Sequence, residues 1–327
     1  MEMPLVSIVV ATYFPRTDFF EKQLQSLNNQ TYENIEIIIC DDSANDAEYE
    51  KVKKTAENII SRFPCKVIRN EKNVGSNKTF ERLTKEANGD YICYCDQDDI
   101  WLSEKVERLV SHITKHHCTL VYSDLSLIDE NDRIIHKSFK RSNFRLKHVH
   151  GDNTFAHLIN RNSVTGCAMM IRTDVAKSAI PFPSYDEYVH DHWLAICAAA
   201  RGRIGYIHDP MVLYRMHPNN QIGKKRLSNI YTIDDYVYYR IKKQFNRYEF
   251  ILSNLWLTGE YKEIVYYHIE IAKMRLDLSN KISLRNLLKY LKLAKFDFLL
   301  FIFEVLLFTF LRNNSSCFFK IIKYLKL

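Results

Sequence analysis

The chain has 327 residues, 46% of them hydrophobic and 26% charged, with 46 basic against 39 acidic side chains. That length suits one large α/β domain, or a catalytic domain with a smaller appendage, and the apolar content suffices for a packed core. Disorder, collagen and disulfide scaffolds are excluded. Eight cysteines at scattered spacings, with no Cys-x-x-Cys pair, read as buried or free thiols of a reducing compartment. The start, MEMPL, lacks the basic and apolar stretches of a signal peptide, which predicts a protein that is not secreted. Charge is uneven: residues 224–327 hold 19 Lys/Arg against 9 Asp/Glu, so a tail of +10 follows a body of −3. Such a tail points to an anionic partner, either nucleic acid or a membrane leaflet.

Leu5–Ala11 is apolar and β-branched, the signature of a buried strand. Asp18–Asn29 sets Phe19, Phe20, Leu24 and Leu27 at helical spacing. Ile35–Cys40 predicts a second strand, the stretch from Asp46 to about Phe63 a helix, and Lys66–Arg69 a third strand. A helix over Ser76–Ala87 closes at Asn88-Gly89. Tyr91–Cys95 predicts a fourth strand and Leu102–His116 another helix. Beyond these, Val121–Asp124 reads as a strand, Ile128–Ile135 as a hairpin and Thr165–Ile171 as a strand. Tyr188–Ala200 reads as a helix, and Ile204–Ile207 and Val212–Met216 as two short strands. The alternation predicts a mainly parallel sheet flanked by helices, with ligands at the carboxyl ends of its strands. After Gly223 the chain is helical and rich in Tyr, Phe and Leu, which predicts a catalytic domain over 1–223 and a helical extension over 224–327.

The strand-end loops carry the chemistry. Asp96-Gln97-Asp98, followed by Asp99, can hold a divalent cation bridging a diphosphate; the alternative is an acidic loop whose Asp99, or nearby Ser103, caps the next helix. Asp41-Asp42 ends the neighbouring strand, and a carboxylate there accepts a base imide N–H or simply starts a turn. Asn73-Val74-Gly75-Ser76-Asn77-Lys78 opens a helix whose free N–H groups, with Lys78, suit a phosphate; a turn glycine with a solvated lysine is the plainer alternative. Asp191, between His190 and His192, suits a general base or a helix cap with two surface histidines. Arg215 and His217 in YRMHPNN suit a diphosphate clamp or a metal ligand, or a plain polar loop. Gly166-Cys167 lets backbone approach a ligand closely, or marks a turn.

In this order VSIVVATY, CDDS, NVGSNK, GDYICYCDQDDIW, VYSD, TGCAMMIR, HDHWLA and YRMHPNN resemble the family 2 glycosyltransferases of GT-A fold, from Val6 to Gly223. DQDDIW and the YRxH element are most similar to bacterial rhamnosyltransferase-like members that build capsule or O-antigen. The resemblance implies a Rossmann-like GT-A domain, a UDP- or dTDP-sugar donor, and inverting transfer of a hexosyl or deoxyhexosyl group. The implied acceptor is a glycan or polyprenyl-linked glycan of cell-surface polysaccharide synthesis. It also implies that Ala11, Thr12, Tyr13 and Asp42, with Asp41 beside them, hold the nucleoside. Asn73, Gly75, Lys78 and Gln97 would line the donor site. Asp96, Asp98 and His217 would hold Mn²⁺ or Mg²⁺, with Asp98 the direct ligand, and Asp191 would deprotonate the acceptor. Gly166 and Cys167 would border the donor sugar, while Arg215 and His217 would sit in a loop closing over the diphosphate. Phe14 and Lys78 depart from the pattern, where many members have Asn and Arg; both positions bear on nucleotide contact. Gln244-Phe-Asn-Arg247-Tyr248 is similar to the Q-x-x-R-W box of processive synthases but ends in Tyr, and the reading is single or limited addition.

In the tail, Phe298–Leu311 would make a helix about 21 Å long, short of the ~30 Å hydrocarbon core. Lys320, Lys323 and Lys326 among apolar residues suit an interfacial helix on anionic lipid, which implies a cytoplasmic enzyme peripheral on the inner face of the plasma membrane. The alternative packs these helices on the catalytic domain or against a second copy in a homodimer. The apolar runs fit lipid or protein better than nucleic acid. A different class, a non-catalytic nucleotide-sugar-binding or scaffold component, has no need of both Asp98 and Asp191.

Overall fold

The structure, a computed structural model, describes residues 3–142, 147–217, 229–293, 298–309 and 319. Pro218, Asn219 and Asn220 of the YRMHPNN motif, and Lys320, Lys323 and Lys326, lie outside the described residues. The chain divides into two compact units, Met1–Pro218 and Asn219–Leu327.

Largely apolar segments rich in β-branched residues, VSIVVAT and IEIIICD, make the centre of the first unit's parallel strands. Strand β1 (Val6–Thr12) is followed by helix α1 (Thr17–Asn28), β2 (Ile35–Asp41), α2 (Asp46–Ile59), β3 (Cys65–Arg69), α3 (Ser76–Glu86) and β4 (Tyr91–Cys95). These four strands are all parallel, in the order β3-β2-β1-β4. A helix lies in each connection, the crossover that parallel neighbours require. Val6, Ile8 and Val10 are fully buried against Phe20, Leu24 and Leu27, the apolar stripe of α1.

The sheet then changes character. A two-residue strand β5 (Ile100–Trp101) precedes α4 (Lys105–Lys115), β6 (Leu120–Ile128), β7 (Ile134–His136), and the short helices α5 (Phe139–Ser142) and α6 (Phe155–Leu158). After them come β8 (Met169–Arg172), α7 (Thr173–Ser178), α8 (His190–Ala199) and β9 (Ile204–Arg215). The order continues β4-β8-β6-β9-β5, with β7 paired to β6, and β8 antiparallel to both its neighbours. The expected hairpin is the β6–β7 pair around Asp129–Arg133.

Several boundaries move for physical reasons. The two short strands expected over 204–216 are one strand, kinked by register shifts around Pro210, which cannot donate to the ladder. Thr165–Ile171 is not all strand: Gly166–Ala168 is a 3-10 turn that delivers the chain into β8. Helix α4 starts at Lys105 rather than Leu102, because Ile100 and Trp101 pair with β9. Gly89 is not a left-handed helix stop. A Cβ there would stand 2.6 Å from the Leu5 carbonyl oxygen and 2.7 Å from the Ser7 nitrogen, so glycine admits close approach to β1.

In the second unit, α9 (Ile233–Tyr236) runs through a π-turn (Val237–Lys242) into α10 (Lys243–Asn254), followed by α11 (Gly259–Asn280), α12 (Leu284–Leu293) and α13 (Phe298–Thr309). Its core gathers Tyr236, Ile241, Leu278, Tyr290, Leu307 and Phe308. Glu304, the single charge in the most apolar stretch, is fully buried. It accepts hydrogen bonds from Arg275 Nη2 at 2.6 Å, Tyr236 Oη at 2.8 Å and Tyr290 Oη at 2.9 Å. Arg275 Nη1 in turn donates to Gln244 Oε1 at 3.1 Å, which gives the glutamine of the QFNRY segment a packing role. No helix among the described residues is long and apolar enough to cross a membrane. Removing one partner of a buried ion pair costs about 3–5 kcal/mol, while an apolar replacement of both is nearly neutral. Arg275→Met should therefore lower the urea midpoint sharply, and Arg275→Met/Glu304→Met should recover much of the loss.

Candidate active site at the strand ends

Parallel pairing sets Thr12 beside Asp41 and Val10 beside Cys95, so β1, β2 and β4 discharge their following loops at one edge. Gln97 ties two of those loops together: its Oε1 accepts the Tyr13 N–H at 2.7 Å and its Nε2 donates to the Tyr13 carbonyl. Tyr13 is left half-exposed beside Phe14, whose φ of 42° lies in the left-handed region. Thr12 is buried and donates to Asp41 Oδ1.

Antiparallel β8 enters from this same edge, with Met170 opposite Cys93. The turn before it therefore lies over the loop after β4. Ligand atoms of Asp96, Asp99 and Cys167 all fall within 4.8 Å of one another. The β5–β9 pairing, Ile100 opposite Leu213, brings the end of β9 against the other side of the loop. Asp99 Oδ1 accepts the Arg215 N–H at 3.0 Å, and His217 Nε2 bonds Asp98 Oδ2 at 2.7 Å. Asp191 stands in the first turn of α8, buried. Its Oδ2 accepts the Gly166 N–H at 3.1 Å and its Oδ1 accepts from Asn162 Nδ2 at 3.0 Å.

Crowding of carboxylates, Asp99 and Asp191 buried and Asp96 and Asp98 half-buried, has electrostatic consequences. Burial pushes the Asp96 carboxyl up to about 7, with repulsion from Asp98 and Asp191 adding to it. Burial, then Asp98 and Asp96, hold Asp99 well above the ordinary carboxylate range. Burial raises Asp191 to about 6, opposed by hydrogen bonds from His192, Gly166 and Asn162.

Asp96, Asp98, Gly166, Cys167, Asp191 and His217 thus converge, although Asp98 meets His217 while Asp96 groups with Asp99 and Cys167. Neither Asp99 nor Ser103 caps α4; the capping position is Glu104, and Asp99 is turned inward to the Arg215 backbone. His190 and His192 are buried rather than surface residues, and Asp191 is not a cap, Val189 holding that position. Arg215 is not in a loop. It ends β9, fully buried, with its guanidinium bonded to the Asp98 and Asp129 carbonyls and to Asp132 Oδ1 at 2.6 Å. A buried guanidinium must find acceptors for its five donors, and those found here brace the acidic loop instead of reaching outward.

Lys78 likewise bonds Glu81 and the Phe182 carbonyl. Both Asp42 oxygens have partners in the next loop: Asn70 Nδ2 and the Val74 N–H on Oδ1, the Gly75 N–H on Oδ2. Gly75, at φ 81°, supplies the left-handed turn this needs. Asn73 is exposed beside it, and Ala11 sits in β1 one residue before Thr12. Asn162, Asp129 and Asp132 are the residues that sequence reasoning missed. Asn162 lies in an irregular polar segment with no motif to mark it, while Asp129 and Asp132 lie in the turn of the expected hairpin, whose pattern does not reveal their bonds to Arg215.

A mostly parallel sheet with carboxylates gathered where its strands end is the architecture of the GT-A glycosyltransferases. The profile of the family described as glycosyl transferase family 2 matches residues 7–178, and the chain belongs to that family. It is a glycosyltransferase. An uncharacterized glycosyltransferase of Methanocaldococcus jannaschii is 28% identical over 294 residues, covering 86% of this chain and 96% of the relative. The dTDP-rhamnosyl transferase RfbG of Shigella flexneri is 28% identical over 218 residues, 63% of this chain and 67% of its own. Among solved structures, S. aureus TarS 1-349 in complex with UDP-GlcNAc superposes with a TM-score of 0.55 at 17% identity, over 92% of this chain and 81% of TarS 1-349. The mannosyltransferase PcManGT of Pyrobaculum calidifontis, in complex with GDP-Man and Mn²⁺, gives 0.54 at 14% identity, over 99% and 88%.

Because Asp96 is held above its unfolded-state value, the stability it contributes is present at low pH and lost as pH rises through about 7. In metal-free protein Asp96→Asn should raise the thermal midpoint by several degrees at pH 8 and by clearly less at pH 5. Calorimetry at the two values checks this.

Proposed function

We propose that the protein is an inverting glycosyltransferase that moves a sugar from a UDP- or dTDP-sugar to a glycan or polyprenyl-linked glycan during cell-surface polysaccharide synthesis. The observation that carries the reading is Asp191: a buried carboxylate, raised to about 6, oriented through both oxygens and facing the acidic loop after β4. A single positioned carboxylate suits deprotonation of an acceptor hydroxyl, and no second carboxylate is needed for one-step displacement with inversion. In this reading Thr12, Tyr13 and Gln97 form the nucleoside end, with Asp41, Asp42 and Gly75 shaping its wall. Gly166 and Cys167 border the donor sugar, next to the base.

Asp96 and Asp98 in the loop after β4, with His217 bonded to Asp98 from beyond the end of β9, are donors whose chemistry fits Mn²⁺ or Mg²⁺, although Asp96 groups with Asp99 and Cys167 rather than with His217. Such an ion, when bound, would neutralise charge on the departing diphosphate. Asp191 takes the hydroxyl proton as the acceptor oxygen bonds the anomeric carbon, and the bond to the diphosphate oxygen breaks with its electron pair leaving on the nucleotide. Asn162 and the Gly166 N–H hold the carboxylate ionised and aimed.

We further propose that the second unit rests on an anionic membrane surface at the cytoplasmic face. Leu284, Leu288 and Leu291 of α12 and Leu299, Ile302 and Leu306 of α13 are exposed, and Arg285 and Lys289 are exposed among the leucines of α12. A basic helix with an apolar face favours anionic lipid.

Screening nucleotide sugars for Mn²⁺-dependent nucleoside-diphosphate release tests the first proposal. Asp191→Asn should abolish transfer and spare UDP binding; unchanged turnover would remove Asp191 from its role. The rate should fall as pH drops through about 6, since the base is then protonated, and Asn162→Ala should move that limb to higher pH. Sedimentation with phosphatidylglycerol vesicles should capture the protein, and Leu284→Glu/Leu288→Glu should release it; equal behaviour with neutral vesicles would discard lipid charge as the attraction.

A further inference from the structure

Lys105 opens α4 on that helix's buried stripe, with Val106, Leu109, Val110 and Ile113, and is itself fully buried. An apolar residue would be the cheaper occupant, because removing an ammonium from water costs several kcal/mol unless its partners replace the water. Its partners belong to the site. The Nζ donates to the Cys167 carbonyl at 2.6 Å and lies over the face of Trp101. Asp99, Cys93 and Cys95 are its electrostatic neighbours, and its charge also acts on Asp96. The Cys167 carbonyl belongs to the 3-10 turn whose first residue, Gly166, gives its N–H to Asp191.

At Gly166 the turn has no slack. A Cβ on Gly166 would stand 2.8 Å from His190 Nε2, and the His190 ring is itself packed on Phe80 at 4.1 Å between centroids. The turn is therefore held by a buried cation at Cys167 and packed against an aromatic stack at Gly166. The sequence of contacts runs from Lys105 through the Cys167 carbonyl and the Gly166 N–H to the carboxylate of the base.

Resting on the glycosyltransferase reading of Asp191, we infer that Lys105 is a positioning residue: through its bond to the Cys167 carbonyl it fixes the Gly166–Ala168 turn so that the Gly166 N–H orients Asp191. It touches neither sugar nor nucleotide.

The test compares Lys105→Met, close in length but uncharged, with Lys105→Arg, which keeps the charge. Hydrogen exchange by mass spectrometry should show faster exchange over residues 163–170 in Lys105→Met, with β1 and β2 unchanged. Binding of UDP with Mn²⁺, by calorimetry, should stay within about twofold, while turnover of the active nucleotide sugar falls about 10- to 100-fold, the scale of a small misplacement of a catalytic group. Lys105→Arg should recover part of that turnover. Wild-type exchange over 163–170, or wild-type turnover, in a folded Lys105→Met protein would overturn the inference. If neither variant folds, Lys105 is a packing residue and the inference is likewise overturned; if only Lys105→Arg folds and turns over, the need for a donor to the Cys167 carbonyl is upheld. The exchange measurement needs no substrate, so it judges Lys105 even if no nucleotide sugar is consumed.

Discussion

Four carboxylates, those of Asp96, Asp98, Asp99 and Asp191, are brought to one edge of a sheet, and at least two of them are withdrawn from water. Left to themselves they would repel and protonate. The fold answers with directed donors. His217 meets Asp98, the Arg215 backbone meets Asp99, Asn162 and Gly166 meet Asp191, and Lys105 holds the Cys167 carbonyl of the adjoining turn. Fixed dipoles of this kind also suit catalysis, since they are already oriented when charge develops.

The braces come from elements distant in sequence. Arg215 ends the longest strand, and through the Asp98 carbonyl, the Asp129 carbonyl and Asp132 it staples the acidic loop to the β6–β7 hairpin. Its guanidinium also lies on Phe19 of α1, 4.2 Å from the ring centroid. An arginine that looks like a ligand-binding group in the sequence is therefore part of the frame. His217, two residues on, keeps a place beside the carboxylates. The second unit uses the same principle for a different end. Glu304 interrupts a run of apolar residues, and four inward donors, two from Arg275 and one each from Tyr236 and Tyr290, make its burial tolerable. The exposed leucines of α12 and α13 are thereby left on the outside, without a charge from α13 among them.

Much of the first half was legible. Short strand segments of five to seven residues, the first two rich in β-branched residues, with amphipathic helices between them and acids at the strand ends, defined four parallel strands and their common edge, because crossover handedness leaves few other arrangements. Past Leu120 legibility fell. A strand kinked at Pro210 looks like two, and a 3-10 turn of Gly, Cys and Ala looks like strand. Lys105 looks like one more solvated lysine, and Asn162 lies in a polar stretch with no pattern at all.

The sequence by itself determined the parallel half-sheet and the edge at which Tyr13, Asp42 and Asp96 emerge, since local periodicity and chain chirality suffice for both. Only the tertiary structure decided which groups meet there. Antiparallel insertion of β8 and the pairing of β5 with β9 are contacts between segments some 75 to 115 residues apart, as in Cys93 with Met170 and Ile100 with Leu213. No pattern of neighbouring residues encodes such pairings; they follow from what each face can bury once the rest of the sheet exists.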